Sequence, residues 1–458
     1  MRHLPRPQLA LLALAVLALS GCASFSPDGG LDAVSQITQQ RTGQAVKLSK
    51  GAPSDEDASR VHALLAAHLT PDSAVQIALM NNAGLKASFE DLGVSEADLV
   101  QAGRLRNPGI SFTHVSGGGD TEVDRSVTLD LAGILVIPLR RGIEKNRFEQ
   151  AKLETALKAA QLAADTRRAF FNAVAAQQTA QFMEQVAASA EASAELARRM
   201  AKVGNWSKLD QAREQVFYAE TVAQQARAQQ NLISAREQLT RLLGLKGDEL
   251  AFTLPGRLPD LPKEARVLPD AETQAMSQRL DVQVSKRNVD AMASSLGLTR
   301  ATGFINVLDA GYADKRTRGL PVQRGYTIAL ELPIFDWGSA RTAKVEALYM
   351  GAVQRTADAA IRAQSEVREA YASYRTSYDL ARHYRDEIVP LRKQISDEML
   401  LRYNGMLAST FELLADSRDQ MTSVNAAIEA QRDFWIADTA LQSAVSGSST
   451  NSQMGTSQ

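Results

Sequence analysis

The sequence predicts a mainly helical protein with a small β part, written as two tandem repeats of helix, β-hairpin, long helix and helix. Three observations predict this. Landmarks recur in the same order at an offset of about 200 residues. Two pairs of short segments alternate apolar and polar residues. Stretches far longer than a globular core requires run almost free of proline and glycine.

The landmarks fix the repeat. Thr70-Pro71-Asp72-Ser73-Ala74 matches Leu268-Pro269-Asp270-Ala271-Glu272, and Val127-Thr128-Leu129-Asp130-Leu131 matches Tyr326-Thr327-Ile328-Ala329-Leu330. Ile137-Pro138-Leu139 matches Leu332-Pro333-Ile334, and Val203-Gly204 matches Asn404-Gly405. The first helix of each copy is expected over Asp72 to about Arg106 and Asp270 to about Arg300, with Pro71 and Pro269 where a helix start tolerates proline.

Alternation then gives the strands. Ile110–Val115 and Val123–Ala132 are joined by Gly117-Gly118-Gly119-Asp120, and Phe304–Tyr312 and Gly325–Leu332 are joined across Lys315–Gly319. Val127, Leu129 and Leu131 share one face, opposite Ser126, Thr128 and Asp130. Tyr326, Ile328, Leu330 and Leu332 alternate with Thr327, Ala329 and Glu331. Period two with a polar opposite face describes a strand between two different solvents.

A very long helix follows from Arg140 to Val203, where Gly142 is the one glycine before Val203-Gly204 and no proline occurs. Leu153, Leu157, Ala160 and Ala164 keep a coiled-coil rhythm, as do Val367, Ala370, Tyr374, Tyr378 and Ala381, and then Ile388, Leu391, Ile395 and Met399. Pro390 should interrupt the second long helix. Gly204 and Gly405 mark sharp turns before closing helices to about Leu243 and Ser446. The inter-repeat segment 245–268, with Pro255, Pro259 and Pro262, reads as irregular surface, and the polar tail 447–458 as disordered.

Composition agrees. Of 458 residues, 45% are apolar but only 5% aromatic, which favours thin seams of small residues between helices. Lys+Arg is 51 against 52 Asp+Glu, so there is no basic footprint for nucleic acid. One cysteine excludes an intrachain disulfide framework and any multi-cysteine metal cluster.

That cysteine has a place. Arg2 and Arg6 precede an apolar run from Leu9 to Leu19, too short to span a bilayer and suited to an export signal over 1–21. The run ends Leu19-Ser20-Gly21-Cys22, which resembles the bacterial lipobox, with Cys22 as the lipidated residue. Residue 23 is Ala rather than the Asp that retains lipoproteins at the inner membrane, so the implied destination is the outer membrane of a double-membraned bacterium. Residues 22–60 read as a lipid-anchored linker, 61–244 as the first repeat and 269–446 as the second.

No later segment reads as a spanning helix, so any membrane crossing falls to a closed barrel. Four strands cannot close one; membrane barrels need about eight or more. The barrel must then be shared between chains: two copies supply eight strands, three supply twelve with a lumen.

Lipobox, duplicated helix–hairpin–long helix–helix order and glycine turns together resemble the TolC-type outer membrane efflux protein family, over about residues 60–446. Gly204-Asn205-Trp206-Ser207-Lys208-Leu209-Asp210-Gln211-Ala212 is similar to the family's pattern after its helical turn, with the Ala one place early. Arg402 to Ala415 fits with Glu412 one residue later than the family's acid. The resemblance implies a homotrimer, a 12-stranded barrel and a helical periplasmic tunnel. It also implies docking through the turns (Val203, Gly204, Asn205, Trp206; Asn404, Gly405, Met406) onto a periplasmic adaptor and an inner-membrane pump.

Chemistry for catalysis is absent. No H-E-x-x-H, G-x-S-x-G, Walker A or G-x-G-x-x-G occurs, and His3, His62, His68, His114 and His383 are scattered, so no enzyme activity, cofactor or metal site is expected. Gly117–Gly119 precedes a strand and reads as a hairpin loop rather than a phosphate cradle. Asp130 and Glu331 are candidate lumen-facing strand acids, or simply water-facing ones. Trp337 is either an interfacial anchor or a tucked indole, and Trp206 either a partner contact or a turn staple. Asp210 and Glu412 are candidates for a periplasmic aperture, where threefold repetition makes rings of carboxylates; the alternative is that they serve the helix N-termini.

The leading expectation is therefore a passive exit duct of a tripartite efflux system. The alternatives are a non-pore coiled-coil lipoprotein and the exit channel of a type I protein secretion system.

Overall fold

The computed structural model describes residues 24–44, 55–118, 120–302, 307–331 and 334–447. The export signal and Cys22 lie outside the described residues, as do the tail beyond Gly447, residues 304–306 of the predicted third strand and Leu332 of the fourth.

In order, the elements are α1 (Leu31–Thr42), α2 (Asp55–Leu65), α3 (Pro71–Asn81), α4 (Ala83–Ala102), β1 (Gly109–Gly117), β2 (Asp120–Asp130), α5 (Leu131–Lys202) and α6 (Lys208–Leu243). The second copy runs α7 (Ala271–Gln278), α8 (Leu280–Ala301), β3 (Leu308–Thr317), β4 (Gln323–Leu330), α9 (Ser339–His383), a π-helical turn (Tyr384–Ile388), α10 (Val389–Asn404) and α11 (Thr410–Ser446). The duplicated order is the one the landmarks predict. Helix α1 falls inside the predicted linker and is packed rather than loose: Val34 is fully buried.

The chain divides into two compact units. The first contains residues 1–33, 89–155 and 282–360, and the second residues 34–88, 156–281 and 361–458.

The first unit holds a four-stranded antiparallel sheet in the order β1-β2-β3-β4. Register is set by pairs such as Ile110 with Val127, Val127 with Tyr312, and Tyr312 with Tyr326. Strands β1 and β4 each keep one unpaired edge. β3 reaches Thr317, so the predicted loop start at Lys315 is strand; Lys315 stands opposite Asp124 and forms an ion pair with the diagonal Glu122. At the other end the expectation that β2 runs to Ala132 is corrected. Asp130 ends the strand by accepting the Gly133 N–H at 2.6 Å, which caps the third residue of α5. The cap starts the helix nine residues before the predicted Arg140, with Pro138 inside it. Leu131 thereby leaves the strand face assigned to it.

The second unit explains the other breaks. The expected first helices are each two helices, broken at Asn82 and Arg279. Both breaks seat on the end of the last helix of their own repeat. Asn81 Nδ2 donates to the Gly244 carbonyl at 2.8 Å and Asn82 Nδ2 to the Leu242 carbonyl at 3.0 Å. Arg279 Nη1 donates to the Ala444 carbonyl at 2.9 Å, while its other donors reach Asp281 and Glu366. Gly244 and Gly447 end α6 and α11 in left-handed conformation. A Cβ would lie 2.8 Å from Asn81 O at Gly244 and 2.6 Å from Asp281 Oδ1 at Gly447. Close approach and positive φ both demand glycine there.

The seam of α5 is made of small residues, with Ala156, Ala159, Ala160, Ala163 and Ala164 buried, whereas that of α9 mixes Val367 and Ala381 with the large Tyr374 and Tyr378. Leu391 and Ile395, expected in a seam of α10, are exposed in the single chain. Pro390 sits in the first turn of α10, and the interruption takes the form of the preceding π turn, whose wider ring absorbs the missing N–H. The inter-repeat segment 245–268 is irregular apart from a 3-10 turn at Gly247–Leu250 and mostly exposed, as expected, but it is pinned by five buried residues, Leu245, Phe252, Leu254, Leu258 and Leu261. Leu261 is buried against the Tyr374, Tyr378 and Phe434 cluster, and Tyr378 Oη donates to the Lys263 carbonyl at 2.9 Å. Prolines suit a strap that gives carbonyls to side chains and needs few backbone donors in return.

Candidate functional site

Two places carry the candidate residues: the sheet and the pair of turns.

In an antiparallel sheet, directly paired residues share a face, so register sorts every strand side chain. One face carries Leu308 and Leu330, then Leu129, Ala310 and Ile328, then Ile110, Val127, Tyr312 and Tyr326. These side chains are outward: Ile110 is 79% and Tyr326 85% exposed. The opposite face carries Gly109, Ser111, Thr113, Ser126, Thr128, Gly311, Ala313, Gly325 and Thr327, all small or hydroxylated. Asp120, Glu122, Asp124, Asp130 and Asp309 lie on this polar face with Lys315. So much exposed apolar side chain on one face marks an interaction surface, since water gives it no partner. In the chain just past β4, Phe335 and Trp337 are also exposed. The exposure of Trp337 fits the anchor reading better than the tucked one.

Asp130 is on the polar face, as predicted, but carries a second duty in capping α5. It also faces Arg106 at 3.6 Å, and both line an open cavity of about 680 Å³ with Arg104, Arg140, Glu144 and Arg147. Glu331 lies just past β4; its N–H donates to the Val307 carbonyl at 3.3 Å.

The turns lie in the second unit. After α5, Gly204 is left-handed (φ 80°), the Asn205 N–H donates to Met200 O at 2.9 Å and the Gly204 N–H to Ala201 O at 3.2 Å. That is a Schellman closure. After α10 the same pair of bonds recurs one residue later than the glycine. Leu407 N–H donates to Arg402 O at 2.8 Å and Met406 N–H to Tyr403 O at 3.0 Å, with Met406 at φ 60° and Gly405 at φ −80°. The turn predicted at Gly405 is therefore made by Met406. Val203, Asn404, Gly405 and Met406 are exposed, and Trp206 is half-buried beside its turn.

Asp210 and Glu412 both stand at the third position of the helix that follows. Ser207 Oγ accepts the Asp210 N–H at 3.1 Å, and Ser409 Oγ accepts the Glu412 N–H at 3.2 Å. Glu412 Oε2 accepts the Ser409 N–H at 2.7 Å, completing a capping box; these bonds hold the Glu412 carboxyl below its usual range. Asp210 has Arg213 at 3.5 Å. The structure thus gives each acid a capping role and leaves its exposed position at the turn unchanged.

One group of residues escaped the sequence reading. Glu214 is buried on α6 and accepts from Ser193 Oγ at 2.8 Å and from Arg418 Nη2, on α11, at 2.7 Å. Arg418 also stacks 4.1 Å over the Phe217 ring. The signal available was Glu214 falling one turn past the capping acid Asp210, but i, i+4 spacing cannot announce a partner about 200 residues away. Among the described residues no group of three His, Cys, Asp or Glu is placed to hold a metal, and no helix is long and apolar enough to cross a membrane.

No protein-family model matches the chain. A curated relative, the cobalt-zinc-cadmium resistance protein CzcC of Cupriavidus metallidurans, is 26% identical over 276 residues, 58% of this chain. The match spans 64% of that protein's length, just under two thirds. The Campylobacter jejuni CmeC outer membrane channel superposes with a TM-score of 0.72 at 15% identity, covering 82% of this chain and 86% of that one. The open state of the Neisseria gonorrhoeae MtrE outer membrane channel superposes with a TM-score of 0.68 at 16% identity, covering 82% and 88%. By these superpositions the chain has the fold of the TolC-type outer membrane channels.

Proposed function

We propose that the chain is the outer membrane exit duct of a tripartite efflux system, conducting passively what an inner-membrane pump and a periplasmic adaptor deliver. The observation that carries the reading is the sheet: four strands, two unpaired edges, one apolar face and one polar face. Unpaired edges in lipid cost several kcal/mol per group, so the edges of β1 and β4 call for other copies of the chain. Three copies close a 12-stranded barrel, with the Leu129 face to lipid and the Asp124 face to the lumen. Cys22 would carry the lipid anchor and hold the chain at the outer membrane. The turns around Gly204 and Met406 would meet the adaptor, and Asp210 and Glu412 would ring the periplasmic aperture. No step makes or breaks a covalent bond, and no cofactor is needed.

Cations are the cargo class this lumen favours. Within the strands the polar face carries Asp120, Glu122, Asp124, Asp130 and Asp309 against one basic residue, Lys315, with Arg106 from outside the strands offsetting Asp130, and three copies repeat the imbalance around the pore. The relative named for cobalt, zinc and cadmium resistance points the same way.

The test is reconstitution. The purified protein should run as a heat-dissociable trimer and give discrete, cation-preferring conductance in planar bilayers. Monomers without conductance would discard the duct; anion preference would discard the cation cargo.

A further inference from the structure

The charges of the sheet are sorted by face. Within the strands all three arginines, Arg125, Arg316 and Arg324, fall on the apolar face, with Asp314 among them. Their position along that face is as definite as the side. Tyr312 and Tyr326 pair in one row, Asp314 and Arg324 in the next toward the hairpin loops, with Arg125 opposite Asp314. Arg316 lies one row further and Arg318 just past the strand end, its N–H bonded to Thr121 O at 2.9 Å. Rows on one face are about 6.8 Å apart, so the guanidinium groups begin within one side-chain length of the tyrosines. Arg125, Arg316 and Arg324 are all exposed, whereas Asp314 is mostly covered.

An arginine on a lipid-facing surface is costly at mid-membrane and nearly free at the interface. There it can meet a phosphate through paired N–H donors, which a lysine cannot do in the same planar way. The band is restricted to one end: at the helix-proximal end of the same face stand Leu308 and Leu330. We propose that Arg125, Arg316 and Arg324 form a lipid-binding patch for the phosphate groups of anionic lipid in the leaflet at the hairpin-loop end of the sheet. The occupant is a lipid rather than a soluble anion because the band continues an apolar surface: acyl chains lie along Val127, Tyr312 and Tyr326 while the headgroup reaches the arginines. The inference rests on the reading that this face meets lipid.

The test uses the full-length protein, delipidated in a neutral detergent and incubated with bis-phosphorylated lipid A or its dephosphorylated form. Bound lipid is counted by native mass spectrometry. The wild type should retain the bis-phosphorylated lipid at least tenfold better than the dephosphorylated one, and excess inorganic phosphate should not displace it. Arg125→Gln/Arg316→Gln/Arg324→Gln should lose that preference, while the triple Arg→Lys variant should keep part of it. Lys286→Gln/Lys344→Gln/Lys393→Gln, which removes equal charge from helices, should behave as wild type. Equal retention of both lipids by the wild type, displacement by inorganic phosphate, or unchanged preference in the triple Gln variant would overturn the proposal. Bilayer conductance with no phosphate preference would sink this patch alone; a protein without conductance that binds neither lipid would sink the membrane reading beneath it.

Discussion

Met406 occupies in the second turn the place that Gly204 occupies in the first. Each is the left-handed residue of a Schellman closure, each is followed three residues later by a capping serine, Ser207 or Ser409, and six residues later by an acid, Asp210 or Glu412. Glu412 looks one residue late only when counted from Gly405. Counted from the residue that makes the turn, the two tips superimpose in sequence, so Asp210 and Glu412 are equivalent positions of the two repeats.

A left-handed methionine is strained, and its side chain is 94% exposed, so packing does not hold it there. Met406→Gly should raise stability by about 1–2 kcal/mol, read as a higher thermal midpoint of the detergent-solubilised trimer. Gly204→Ala should lower it by a similar amount, since the φ is unfavourable even though open space surrounds the glycine. A neutral result for both would show that the turns relax at no cost.

Glu412 gives the tip a pH dependence. Its carboxyl is held low by the Ser409 N–H and hydroxyl, and its ordinary value is 4.5. Because the folded value lies below the unfolded one, the stabilisation is complete above about pH 4.5 and fades as pH falls through the folded value. Hydrogen exchange at the start of α11 should accelerate in that acid window in the wild type. In Glu412→Gln it should not respond to pH there. A pH response that survives the substitution would assign it to another group.

Glu214 and Arg418 should show strong coupling. Removing one partner of a buried pair costs ~3–5 kcal/mol, and with Arg418 32% exposed the low end applies. Arg418→Met strands a carboxylate that is 1% exposed. Adding Glu214→Leu should recover much of the loss, as a double-mutant cycle on thermal or denaturant unfolding would report. Additive losses would show that the contact carries no energy of its own.

On the sheet, adjacent residues should behave oppositely. Leu129→Arg places a charge on the apolar face and should cost ~2–4 kcal/mol per chain near mid-membrane, seen as failed trimer assembly. Asp130→Asn keeps an oxygen for the Gly133 N–H and should assemble normally with weaker cation preference. Asp130→Ala loses the cap and should cost about 1 kcal/mol. Equal assembly defects from Leu129→Arg and Asp130→Asn would remove the basis for the two faces.

The sequence by itself determined what depends on local periodicity. Period two fixed which strand residues share a face, coiled-coil spacing fixed the seams of α5 and α9, and recurrent punctuation fixed the duplicated order. These rules act between neighbours, so a single chain displays them openly. It misplaced what depends on competition between local signals. A proline at 138 reads as a helix boundary until Asp130 is seen capping Gly133, and a glycine at 405 reads as the turn until two backbone bonds choose Met406. Only the tertiary structure decided what depends on distant residues meeting: Glu214 with Arg418, Arg279 with Ala444, and the strap around Leu261. It also decided the order β1-β2-β3-β4, because hydrogen bonding between β2 and β3 joins segments that nearly two hundred residues separate and that no spacing rule connects. That pairing is what brings every strand arginine to one face and leaves most of the acids on the other.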